Sequence, residues 1–151
     1  MARATTFDYK VTVVDSGGNK YAIDGNTQQY VVLFPGGTYK FDQADSTNGG
    51  HPLRFSETSN GTHNSGSEYT TGVTTAGTPG SSGAYTQIEV TTSTPFILYY
   101  YCTQHSGMGG EVNTPDNKAS TQAGLGICMG GETPSYVNTM DYVNIATTGN
   151  A

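Results

Sequence analysis

Charge is what this chain has least of. Lys and Arg total 6 and Asp and Glu 12 among 151 residues, for a net charge of −6. Nucleic-acid binding draws on clustered Lys and Arg that displace counterions from phosphates, and no basic cluster occurs, so no nucleic-acid partner is expected. Tryptophan is absent and the cysteines are only Cys102 and Cys128, which excludes a disulfide-built scaffold. No apolar run nears the roughly 20 residues that a membrane-crossing helix needs, so no membrane partner is expected. The opening MARATTFDYK lacks the apolar stretch of a secretory signal. The expectation is a chain completed in the cytoplasm, on which the sequon Asn60-Gly61-Thr62 is a chance match. Helical periodicity is also nearly missing.

What is present is aromatic, hydroxyl-rich and punctuated by glycine. The 11 Tyr and 5 Phe supply too much apolar surface for a disordered chain. In FDYKVTVV (7–14) Phe7, Tyr9, Val11 and Val13 alternate with polar partners, and DSGGN then turns the chain. YAIDGN reads as half of a hairpin closed at Asp24-Gly25, and QYVVLF stops at the PGG of Pro35, Gly36 and Gly37. TYKFDQ (38–43) and PLRFS are further short strands, and within 57–83 only EYTTGVTT has strand character. AYTQIEV places Tyr85, Gln87 and Glu89 on one face and Thr86, Ile88 and Val90 on the other. PFILYYYC (95–102) is apolar on both faces, as a central strand covered on both sides would be. Short strands at regular spacing without helices predict an all-β sandwich or barrel. Beyond Met108 come a polar connector, the Gly-rich AGLGICMGG, and a candidate strand at 140–147.

Residues 99–110 read YYYCTQHSGMGG, with Cys102, His105 and Met108 in C-x2-H-x2-M spacing. Thiolate, imidazole and thioether are metal donors, but one loop supplies only part of a coordination shell. His51, directly after the NGG loop at the start of HPLRFS, is the candidate for the remaining donor. Two His and one Cys in a plane with a weak axial Met are the donor set of a blue-copper centre. The thiolate bonds copper in both oxidation states, the imidazoles tolerate both, and the weakly held thioether raises the potential. Cys102 ending a strand, with short links after it, lets the loop turn His105 and Met108 back toward one point.

With these residues in place, PFILYYYCTQHSGM preceded by GGTYKFDQADSTNGGHPLRFSET resembles the cupredoxins, the type 1 copper proteins, over roughly residues 5–113. The short ligand loop is similar to that of amicyanin-like members. The resemblance implies a Greek-key β-sandwich over 1–113, a C-terminal extension over 114–151 packing on the domain or on neighbouring subunits, and copper held by His51, Cys102, His105 and Met108. One departure stands out. Cupredoxins usually follow the first His with a residue, often Asn, whose backbone N–H helps hold the Cys sulfur; Pro52 has no N–H to give. Such hydrogen bonds set affinity and potential, so the tuning of this site is in question.

TPSYVNTMDYVNIATTGNA is similar to a segment recurring in structural proteins of marine bacteriophages, cyanophages among them, and the 51–88 stretch resembles cupredoxin-like domains of such virion proteins. That second resemblance implies a virion structural protein, a capsid decoration or fibre component, made in the host cytoplasm, oligomeric or particle-bound, with other capsid or fibre subunits as partners. The alternative is a soluble blue-copper electron carrier, for which the four donors and the acidic surface speak. The missing export signal favours the virion reading. No enzyme is expected: no serine sits in a nucleophile elbow, and Asp42, Asp45, Glu57 and Glu68 read as solvated loop charges rather than an acid/base pair. His63 reads as an exposed loop histidine, Met129 as a core or contact residue, and the Tyr99-Tyr100-Tyr101 run as core and sheet surface. Cys128 reads as a small buried hydrophobe, with a disulfide to Cys102 as the rival that would consume the thiolate.

Overall fold

Period-2 alternation becomes short strands within residues 5–115, the part of the chain that the computed structural model describes. The strands are β1 (Thr5–Asp15), β2 (Asn19–Ile23), β3 (Asn26–Thr27), β4 (Val31–Val32), β5 (Gly37–Asp42), β6 (Leu53–Ser56), β7 (Glu68–Tyr69), β8 (Val73–Ala76), β9 (Tyr85–Glu89), β10 (Ile97–Cys102) and β11 (Gly110–Asn113). Among the described residues the helical segments are two 3-10 turns, Ser46–Asn48 and Gly61–Asn64. One sheet runs β3-β2-β1-β5-β9-β8 and the other β4-β11-β10-β6-β7. The chain passes from sheet to sheet after β3, β4, β5, β7 and β9, so the expected Greek-key β-sandwich is what forms.

The core is the layer between the sheets. Phe41 of β5 meets Phe55 of β6 edge-on at 5.4 Å, and Tyr21 of β2 meets Tyr100 of β10 at 6.2 Å. Leu53, Ile88, Leu98 and Val112 are fully buried around them. Each such side chain contributes about 1.5–3 kcal/mol of burial, which outweighs any single surface contact. The Asp24-Gly25 hairpin closes β2 onto β3 with positive φ at both residues, 50° and 87°, the geometry whose twist matches paired strands.

Two sequence expectations differ from the structure in detail. EYTTGVTT is not one strand: β7 pairs with β6 and β8 with β9, in different sheets. Gly72 makes the break, at φ +73 and against the Glu89 carbonyl where a Cβ has no room. β10 is covered on both faces only toward Cys102. Leu98, Tyr100 and Cys102 face the core and Tyr101 is buried on the other side, but Ile97 is exposed. Beyond Thr114 and Pro115 the C-terminal extension lies outside the described residues, as do Cys128, Met129 and the candidate strand at 140–147.

Candidate metal centre

Strand register brings distant donors together. β6 and β10 run antiparallel with Leu53 opposite Cys102, and Thr103 N–H continues the ladder to the Pro52 carbonyl at 3.1 Å. His51, two residues before Leu53, is therefore carried to the end of β10 where Cys102 lies. After Cys102 the chain turns through Gly107, φ +72, and returns as β11, with Gly110 opposite Tyr100. Gly109 is required at that return, because a Cβ there would run into the Tyr100 carbonyl.

The loop between is tied at several points. Lys20 Nζ donates to the Gly107 carbonyl at 2.8 Å, and Gly107 N–H donates to Asn60 Oδ1 at 2.8 Å. Gln28 Nε2 donates to the Gly109 carbonyl. Tyr21 joins both halves of the site: its N–H donates to the Met108 carbonyl at 2.9 Å, and its hydroxyl to the His51 carbonyl at 2.7 Å. Burial holds that hydroxyl well above the usual tyrosine range, with the nearby Cys102 adding to the shift, so it stays a neutral donor.

His51, Cys102 and His105 offer ligand atoms that all lie within 4.8 Å of one another. Cys102 Sγ is 3.8 Å from Nδ1 of His51 and 3.8 Å from Nδ1 of His105. A divalent ion about 2.3 Å from sulfur and about 2.0 Å from each nitrogen, with its donors in one plane, sets each S···N separation at about 3.7 Å, within about 0.1 Å of the separations here. The donor set and its spacing thus fit a copper ion. Met108 is buried in the same core cluster as Cys102. His51 is 8% exposed while His105 is open to solvent, so one imidazole is shielded and the other faces outward. Burial, and secondarily the facing His105, hold the His51 imidazole below its ordinary value. It is neutral at neutral pH, the state a metal ligand needs. Among the described residues Cys102 is a free, buried thiol, and Cys128, the other half of the rival disulfide, lies outside them.

Around the donors are groups that sequence reading missed. Gln104 N–H donates to Cys102 Sγ at 3.4 Å, while Pro52 offers the sulfur nothing. His63, an exposed loop residue as expected, nevertheless reaches the Cys102 carbonyl at 2.9 Å; a carbonyl only accepts, so Nε2 carries the proton. The Asn19 carboxamide lies 3.4 Å from Nε2 of His51. That nitrogen bears the proton when Nδ1 faces the ligand point, and a carboxamide can turn its oxygen to accept it. Nothing local in the sequence marks His63, Asn19 or Tyr21; only the topology carries them there. Asp45 and Glu68 pair with Lys10 at 3.8 Å and Arg54 at 3.6 Å, as surface charges do.

No protein-family model and no curated protein matches the chain. Among solved structures it is similar to reduced rusticyanin, with 16% identity and a TM-score of 0.45 over 76% of this chain and 82% of that one. It is similar also to rusticyanin from Thiobacillus ferrooxidans, with 12% identity and a TM-score of 0.43 over 75% of this chain and 79% of that one.

Proposed function

We propose that this chain is a blue-copper protein that binds one copper ion through His51, Cys102, His105 and Met108 and carries single electrons. The observation that carries the reading is the position of Cys102 Sγ, 3.8 Å from Nδ1 of both histidines. Copper would supply the one-electron chemistry, with the thiolate and imidazoles serving both oxidation states. The protein's part is to hold the donors still. The β6–β10 ladder and Tyr21 fix His51 and Met108, and the loop bonds at Gly107 fix the turn that carries His105. A site that does not rearrange between oxidation states exchanges electrons at low cost, and the solvent-facing edge of His105 is the nearest donor to an incoming partner. The test is titration of the metal-free protein with Cu(II). The expected result is an intense visible charge-transfer band saturating at one equivalent, bleached by a reductant and restored by an oxidant. A colourless complex, or binding unchanged in Cys102→Ser, overturns the reading.

Incorporation into a virion, with capsid or fibre subunits as partners, is a second reading. One observation favours it: Phe7 and Phe34 are exposed and line one surface groove with Tyr39, and contiguous apolar surface of this kind marks contact sites. Its test is copy number in purified particles alongside the oligomeric state of the isolated chain; a monomer absent from particles overturns it.

A further inference from the structure

Pro52 takes away the N–H that would tie the His51 segment to the thiolate, and a different group spans the gap. Gln43, just past the end of β5, is buried to 1% exposure. Its Nε2 donates to the His51 carbonyl at 2.8 Å and to Asn48 Oδ1 at 3.3 Å. Its Oε1 accepts from the Leu53 N–H at 3.0 Å. One carboxamide thus holds the peptide groups on both sides of Pro52. Its own backbone is held by Gln43 N–H to the Ala84 carbonyl and Gly80 N–H to the Gln43 carbonyl, each at 2.8 Å. Asn48 closes the frame. It is fully buried, its carbonyl accepts from His51 N–H at 2.8 Å, and its Nδ2 donates to the Val11 carbonyl at 2.8 Å.

We propose that Gln43 is a positioning residue of the metal site, acting beside Tyr21 and clamping the backbone on both sides of Pro52 so that the His51 imidazole points at Cys102. The proposal rests on the copper reading for its ligand, but the clamp itself is a property of the metal-free protein. A buried carboxamide with every polar atom paired resists displacement, since any movement leaves an unpaired group in the core. The direction of His51 is thereby set before metal arrives.

The experiment compares full-length Gln43→Met, which keeps the length and removes every side-chain hydrogen bond, with Gln43→Glu, which retains the acceptor for Leu53 N–H. Ile88→Val serves as a control for general loosening. Two readouts are taken: the carbon-bound imidazole proton resonances of His51 in the metal-free protein, and Cu(II) affinity with the electron paramagnetic resonance spectrum of the complex. In Gln43→Met the His51 resonances are expected to broaden or double and the affinity to fall by about tenfold or more, as loss of a group that orients a ligand does. Gln43→Glu is expected to lie between it and the parent, and it decides the matter by the same readouts should Gln43→Met not fold. Ile88→Val is expected to lower the melting temperature and leave both readouts unchanged. Single, unshifted His51 resonances in the Gln43 variants, or equal disturbance in Ile88→Val, overturn the proposal. A parent protein that binds no copper defeats the copper reading instead, while the His51 resonances still test the clamp.

Discussion

The two ends of β10 have similar apolar composition and opposite surroundings. At the Cys102 end, Tyr100, Tyr101 and Cys102 are buried, the 103–109 loop is tied at Gly107 to Lys20 of β2 and to Asn60, and the 43–52 segment is tied across itself by Gln43. At the other end Phe96 is 55% and Ile97 40% exposed, with Thr114 N–H donating to the Phe96 carbonyl at 2.9 Å and the Thr114 hydroxyl to the Pro95 carbonyl. The contrast teaches that apolar sequence alone does not decide burial. What covers Tyr101 is the 3-10 turn Gly61–Asn64, where Gly61 sits so close that a Cβ would strike the tyrosine ring. What covers the thiol is a loop that can fold back only because Gly107 and Gly109 permit it. No such cover reaches Ile97 among the described residues.

Breaking the crowded end should have the largest effect. Cys102→Ser removes the soft donor and is expected to abolish the charge-transfer band and cut Cu(II) affinity by more than about 100-fold, read by absorbance titration. Between the two ends, Phe41→Ala empties the contact with Phe55 and is expected to cost about 3–5 kcal/mol in denaturant unfolding, without change in the donor set. Gly109→Ala forces the loop off the Tyr100 carbonyl. It should cost about 1–3 kcal/mol and weaken copper binding as well, a pairing of losses that Phe41→Ala should not show at equal residual stability.

A smaller effect concerns pH. Since His51 is held below its ordinary value in the folded chain, the unfolded chain binds the extra proton first as pH falls. Stability of the metal-free protein is therefore full above the ordinary histidine range, about pH 6.5, and declines as pH drops through it toward the folded value. Melting temperatures between pH 7.5 and 5 should show this fall, and His51→Gln should flatten it. The smallest effect belongs to the open end: Phe96→Ser and Ile97→Thr should change stability by no more than about 0.5 kcal/mol and leave copper binding alone. A large loss from Phe96→Ser would show that this end is covered after all.

Much of the sandwich was legible because strand alternation is a local signal. Thr86, Ile88 and Val90 face the core as the spacing of AYTQIEV predicts. The break in EYTTGVTT was not legible, because Thr-rich strand and Thr-rich turn differ only at Gly72, whose close neighbour Glu89 is far along the chain. Cys102, His105 and Met108 could be singled out by donor chemistry and loop spacing, which also are local, and His51 by donor chemistry alone. Gln43, Tyr21 and His63 could not, since a polar residue acquires a role in the site only through the partner that folding sets beside it.

By itself, then, the sequence determined that the described chain is all-β, that it carries soft and borderline donors at Cys102, His105 and Met108, and that Pro52 withholds an N–H. Those properties reside in residue type and short spacing. Only the tertiary structure decided that His51 lies 3.8 Å from the thiol, that Gln43 spans both sides of the proline, and which end of β10 is covered. These are long-range pairings, and they depend on β-ladder register and the crossing of chain between two sheets, neither of which short spacing records.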